Sequence, residues 1–200
     1  MKKVFLIAVL AVVGLTRVNA QEDNKDVKDN VNEVVEMAKE GGFYLGGNIG
    51  VPLSGAGDLA SFNFGFDAAY LFEVIPNLEV GALIGYSHFI GDGTYTFSGD
   101  EGTIIRDYKD ASFLPIAASA RYQFNDGQFF AGLDTGFAIN LSGDADSGFY
   151  IRPKFGYNLG PITLVGSFTS ISGGSSYNEN LSTVTVSGFT TANVGVEFGF

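Results

Sequence analysis

The sequence predicts an all-β fold: a closed eight-stranded antiparallel up-and-down transmembrane β-barrel, preceded by a short leader with helical spacing. Three observations predict it. Eight successive segments between Gly42 and Phe200 place apolar residues at every second position. The charged residues inside those segments all fall on the opposite parity. The connections between segments alternate between short and long.

Composition sets the bounds. The chain has 200 residues, enough for one domain with a tail. It contains no cysteine, so disulfides, thiolate metal sites and a lipid-modified cysteine are all excluded. Its formal charge of -11 argues against binding nucleic acid or anionic lipid through a basic patch. At 46% hydrophobic and 16% charged it is too apolar to be disordered, yet beyond residue 20 no long continuous apolar run occurs. Abundant but dispersed apolar residues fit alternating strands.

Residues 1–20 read as a secretory signal: Lys2 and Lys3, an apolar run from Val4 to Leu15, then Val18 and Ala20 at the -3 and -1 positions of a cleavage site. The run is too short to span a bilayer comfortably. Residues 21–41 form an acidic leader without aromatic residues. Val27, Val31, Val34 or Val35, and Ala38 lie at helical spacing there, and Gly41-Gly42 ends the pattern. A solvated leader fits this composition, and so does a short helix at the barrel mouth.

The predicted barrel occupies residues 42–200. Its outward positions are, segment by segment, Phe43 to Val51, Phe62 to Phe72, Leu78 to Ile90, Ser112 to Phe124, Phe129 to Leu141, Phe149 to Leu159, Ile162 to Ser170, and Val186 to Phe200, taken by twos. None of these positions is Asp, Glu, Lys or Arg. The intervening positions carry Asp67, Glu79, Arg121, Asp134, Arg152, Lys154 and Glu197. Apolar outside and polar inside is the reverse of a soluble barrel.

The links 73–77, 125–128 and 160–161 are short, whereas 52–61, 91–111, 142–148 and 171–185 are longer. Short periplasmic turns and long extracellular loops would put both ends of the barrel on the periplasmic side. Asp126-Gly127 supplies the tight hairpin between segments four and five. The implied register sets Asp134 about opposite Arg152 or Lys154, Arg121 one diagonal step from Asp134, and Glu79 near Arg121. These seven charges are expected to form an ion network that fills a narrow lumen. Pro153 conflicts with a closed sheet and predicts a bulge or a later strand start. Pro115, near a rim, conflicts less.

Tyr70, Phe72, Tyr122, Phe124, Phe129, Phe155, Tyr157, Phe198 and Phe200 gather near the periplasmic boundary, and Phe62, Phe64, Tyr86 and Phe149 near the other. Two aromatic belts separated by aliphatics match interfacial girdles. With the terminal Val194-Gly195-Val196-Glu197-Phe198-Gly199-Phe200, the signal and the loop alternation, residues 42–200 resemble the small outer-membrane β-barrels of the outer membrane protein A and X kind. That resemblance implies residence in the outer membrane of a Gram-negative-type cell, among outer-membrane lipid and lipopolysaccharide. It also implies that the barrel-assembly machinery reads Val196, Phe198 and Phe200 during insertion.

Function is less legible. The expectation is a non-enzymatic envelope-structural or surface-binding role through extracellular loops with an unidentified partner, and no cofactor. The alternatives are a narrow channel and a lipid-modifying enzyme. The longest loop, 91–111, reads as a hairpin extending strands three and four, with an edge for β-augmentation. Loop acids such as Asp144 and Asp146 form only a weak divalent-cation signal. The single histidine, His88, faces outward near the extracellular rim, with Ser112 as a conceivable neighbour. No catalytic residue is assigned.

Overall fold

The computed structural model describes residues 40–54, 60–92, 94–99, 102–107, 109–142, 145–173, 175–179, 182–186 and 188–200. The expected signal and most of the expected acidic leader therefore lie outside the described residues. The strands are β1 (Gly42–Ser54), β2 (Ala60–Ile75), β3 (Leu78–Gly91), β4 (Thr94–Gly99), β5 (Gly102–Asp107) and β6 (Ala111–Phe124). They continue as β7 (Phe129–Ser142), β8 (Gly148–Asn158), β9 (Ile162–Ile171), β10 (Ser175–Glu179), β11 (Ser182–Val186) and β12 (Phe189–Gly199). Eight of them close into a barrel in the order β1-β12-β9-β8-β7-β6-β3-β2, with neighbouring strands antiparallel.

Closure leaves no free edge between the first and last barrel strands. Leu45 pairs with Phe198 and Gly47 with Val196, and the ladder ends in a reciprocal pair of bonds, Phe43 N–H to the Phe200 carbonyl at 3.2 Å and Phe200 N–H to the Phe43 carbonyl at 2.8 Å. The short turns are built by backbone that tolerates positive φ. Asn125, Asp126 and Gly127 adopt φ of 53°, 54° and 79°, and Gln128 N–H returns to the Asn125 carbonyl at 3.0 Å. The side chain of Asn158 donates to the Gly127 carbonyl and ties the neighbouring turn to this one.

Two expectations require correction. The closing strand starts at Phe189 rather than Val186. Gly188, at φ 78°, breaks the ladder, and Val186 instead pairs with Ser175 in a separate two-stranded sheet of β10 and β11. The second correction concerns Pro153. It causes neither a bulge nor a late start: β8 runs unbroken, and Pro153 faces Leu133 of β7 in regular register. The ladder to β9 lapses only between Ile151↔Ser170 and Lys154↔Ser167, which keep one register. Pro115 behaves alike, paired with Ala138 on one side while the β3 ladder lapses between Ile84↔Ile116 and Ser87↔Phe113. Each proline forgoes bonds to one neighbour while the other neighbour holds the strand in place.

The hairpin expected in the longest loop is present as β4 and β5, a two-stranded sheet separate from the barrel ladder. On the barrel wall, Ile49, Val51, Phe66, Ile84, Ile116, Phe137, Phe155, Leu164, Phe168 and Val194 are exposed. An apolar face that extensive is untenable in water and natural in a bilayer. Phe124, Phe129, Phe155 and Tyr157 form a continuous aromatic cluster at the turn end, with Phe129 5.0 Å from Tyr157 and 5.9 Å from Phe124 between ring centres. Phe72 departs from the expected belt and is buried.

Small residues inside the wall make room for large ones reaching across it. A Cβ on Gly156 would stand 2.0 Å from the ring of Phe130, which is buried in the lumen. Gly156→Ala should therefore displace that ring and lower stability by about 1–3 kcal/mol. Denaturant midpoints for refolding into lipid vesicles test this, with Gly166→Ala as the control, since nothing lies within 4 Å of a Cβ at that position.

Candidate functional site: the lumen and the barrel rim

The inward side chains form layers. At the loop end Phe89, Phe113 and Phe189 pack together with ring centres 4.9 to 5.8 Å apart, beside Ile171 and Ala138. Below them lies a hydroxyl and amide layer. Asn193 donates to Thr169 at 3.1 Å and Thr191 at 2.9 Å, and Asn63 to Ser87 at 3.0 Å.

The third layer centres on Arg152, projecting inward from β8. Its Nε donates to Asp134 Oδ2 on the adjacent strand β7 at 2.8 Å, and its Nη1 to Asp67 Oδ2 on β2 at 2.8 Å. Strand β2 is four strands away from β8 in either direction round the barrel, so the second bond spans the lumen. Lys154 Nζ sits 2.9 Å from Asp134 Oδ1, off the line of a good hydrogen bond, and donates to Ser119 at 3.4 Å. Asp67 has room because Gly46 faces it, where a Cβ would come within 2.8 Å of the carboxylate.

The fourth layer repeats the device. Arg121 of β6 reaches Glu197 of β12, also four strands away, with Nη2 at 2.7 and 2.9 Å from the two carboxylate oxygens. The guanidinium is sandwiched, 4.0 Å from the Phe130 ring centre and 4.5 Å from that of Tyr44. Those rings offset the missing partner of the buried Arg121 Nε. Tyr44 in turn donates to Glu79 Oε1 at 2.9 Å, and Glu79 faces Arg121 across the β3–β6 pair.

The lumen residues predicted from the sequence thus meet, divided between two levels. Asp67, Asp134, Arg152 and Lys154 share the upper level, and Glu79, Arg121 and Glu197 the lower. Sequence reading missed Tyr44 and Ser119. Tyr44 had a signal: it is a lone large residue on the inward parity of β1, where Gly42, Asn48 and Gly50 are its companions. Spaces of about 20 Å³ flank the Asp67–Arg152 bond, room for roughly one water each. Among the described residues no group of three metal-ligating side chains assembles.

On the outer wall at the loop end, His88 and Ser112 pair across β3 and β6. His88 Nδ1 lies 2.8 Å from Ser112 Oγ, and the Tyr86 hydroxyl lies 3.1 Å from that Oγ and 3.3 Å from Nδ1. Asp110, just ahead of β6, places Oδ2 3.5 Å from His88 Nε2 and accepts the Gly91 N–H on Oδ1 at 2.8 Å. Nothing in the alternation pattern marks Asp110, because it lies in the linker. Val196, Phe198 and Phe200 stand exposed on the outer wall at the opposite end.

Apolar wall, charged interior and complete closure leave one reading of the fold. The chain is a small transmembrane β-barrel. No protein-family model matches its sequence, and no curated protein matches it either. In structure it is similar to Neisserial surface protein A, at 14% identity over 80% of this chain and 97% of that one, TM-score 0.46. It is also similar to Ail of Yersinia pestis, at 14% identity over 80% of this chain and 100% of that one, TM-score 0.43. A de novo designed transmembrane β-barrel matches at 10% identity over 80% of this chain and 95% of that one, TM-score 0.45.

Removing one member of a buried pair strands the other, whereas replacing both with apolar residues does not. Glu197→Gln should cost about 3 kcal/mol in vesicle unfolding. Arg121→Met combined with Glu197→Leu should return most of that loss. Equal destabilisation by the single and double replacements would remove the pair as a buried ionic contact.

Proposed function

We propose that this chain is an outer-membrane β-barrel whose loop end carries an envelope-structural or surface-binding role that is itself non-enzymatic, with no transport through the lumen. The observation that supports this reading is the lumen itself. Two ion pairs cross it at different heights, and a cluster of three phenylalanines fills it beneath the loops. These fillings at several heights weigh against the channel alternative. The β4–β5 and β10–β11 hairpins continue beyond the wall and offer unpaired strand edges to an extracellular partner.

In this reading the short turns and both ends of the barrel face the periplasm, and lipopolysaccharide surrounds the loop end. Val196, Phe198 and Phe200 act earlier, as the residues engaged by the barrel-assembly machinery, and afterwards anchor the wall at the interface. The seven lumen charges serve as structural filling.

Two measurements check the proposal. Cysteines introduced at Asp146 and Asp126, both exposed and at opposite ends, should differ in intact cells. Only the first should react with a membrane-impermeant maleimide, and labelling of Asp126→Cys alone would invert the topology. Purified protein in planar bilayers should show no unitary conductance above baseline. Steady channels, closed or altered by Arg152→Met, would replace the structural reading with a conducting one.

A further inference from the structure

Beyond the loop-binding role, we infer that the barrel rim carries a second site: a serine nucleophile, Ser112, activated by His88 and Asp110, for acyl esters of lipids in the surrounding leaflet. The order of contacts is that of a proton relay. Asp110 is a positioning residue, fixed on one oxygen by the Gly91 N–H at 2.8 Å and facing His88 Nε2 with the other at 3.5 Å. A carboxylate there favours the proton on Nε2, which leaves the Nδ1 lone pair directed at the Ser112 hydroxyl 2.8 Å away. Nucleophile and base within hydrogen-bond reach, with the base oriented by an acid, is the arrangement nucleophilic catalysis needs.

Its height on the wall selects the substrate. His88 and Ser112 are on the lipid-facing parity, between the exposed Ile84, Ile90 and Ile116. Ser112 lies 12 residues along β6 from Phe124 of the turn-end aromatic cluster. At about 3.3 Å per residue and a tilt near 40°, that is roughly 30 Å of height, against an apolar band of about 25 Å. The cluster therefore meets the far boundary between acyl chains and headgroups, where the acyl esters of membrane lipids lie. Ser112 is only 5% exposed, and its hydroxyl touches that of Tyr86, so the Tyr86 ring acts as its cover.

The chemistry balances without a co-reactant other than water. As Ser112 Oγ bonds to the acyl carbon, its proton passes to His88 Nδ1; the carbon–oxygen bond to the lipid alcohol breaks, and that alcohol takes the proton from Nδ1. Water then attacks the acyl-serine, gives a proton to Nδ1, and the Oγ–acyl bond breaks. The fatty acid leaves and Ser112 recovers its proton.

A fluorophosphonate probe tests the site on the full folded chain, both in detergent micelles and in vesicles of phosphatidylethanolamine and phosphatidylglycerol. Mass spectrometry locates the adduct, with the exposed Ser147 as internal reference. Ser112 should label at least about 10²-fold faster than Ser147, and His88→Ala should remove that advantage. Tyr86→Ala should accelerate labelling by uncovering the hydroxyl. Asp110→Asn should slow it, and Asp110→Glu should restore part of the rate, which a merely structural aspartate would not require. Heat-modifiable gel mobility verifies folding of each variant. His88-dependent labelling of Ser112 in wild type or in Tyr86→Ala supports the site. Labelling no faster than Ser147 in both folded backgrounds overturns it, and leaves the loop-binding role untouched.

Discussion

The structure depends on two ion pairs that each span the full width of the barrel. Arg152 reaches from β8 to Asp67 on β2, and Arg121 from β6 to Glu197 on β12. In a ring of eight strands both pairs join diametrically opposed walls. Neighbouring strands are already held by backbone ladders, so a bond between adjacent strands adds little to the shape. A bond across the diameter fixes the separation of walls that share no ladder. The two bonds join different pairs of strands at different heights, and so brace the barrel cross-section in two directions.

That constraint explains much of the surrounding composition. Each brace needs a long cation, a carboxylate and space to meet. Gly46 beside Asp67 and Gly156 beside Phe130 give that space. Arg121 is the more apolar of the two sites, gripped between aromatic rings, whereas Arg152 sits among further ions and hydroxyls. Leaving either cation alone in that interior would be far costlier than an exposed charge, because both guanidinium groups are buried away from solvent. Below its phenylalanine cluster the barrel is consequently filled by polar bonding where a soluble protein uses a hydrocarbon core, and its apolar surface is turned to lipid.

The alternation of β8, Phe149-Tyr150-Ile151-Arg152-Pro153-Lys154-Phe155, shows why the fold was legible. With a side-chain period of two, a single charged parity fixes both strand type and the inward face. The tight turn at Asp126-Gly127 then set the β6–β7 register, with Arg121 one diagonal step from Asp134. Flanking the next loop with Leu141 and Phe149 put Asp134 about opposite Arg152, its partner in β8. What lay beyond reach was anything the period does not encode. The cross-lumen partners of Arg121 and Arg152 depend on strand order around the ring, which alternation alone leaves open. Gly188 ended the final strand because of a local φ, although alternation continued through it. Pro153 read as a defect because only the missing N–H was visible, not the neighbour that compensates. Asp110 belongs to a linker, where no periodicity exists to place it beside His88.

The barrel separates three environments, and its roles divide accordingly: a braced interior, a lipid-facing wall whose rim holds Tyr86, His88 and Ser112, and hairpins above the membrane. The interior underlies the other two, so its coupling is the quantity to measure. A double-mutant cycle on Arg152 and Asp67, using Arg152→Met and Asp67→Leu with unfolding followed in lipid vesicles, isolates the bond across the diameter. The braced barrel predicts an interaction energy of about 1–3 kcal/mol between the two sites. Additivity within about 0.5 kcal/mol would contradict it, and would reduce the pair to side chains that share a lumen without holding it.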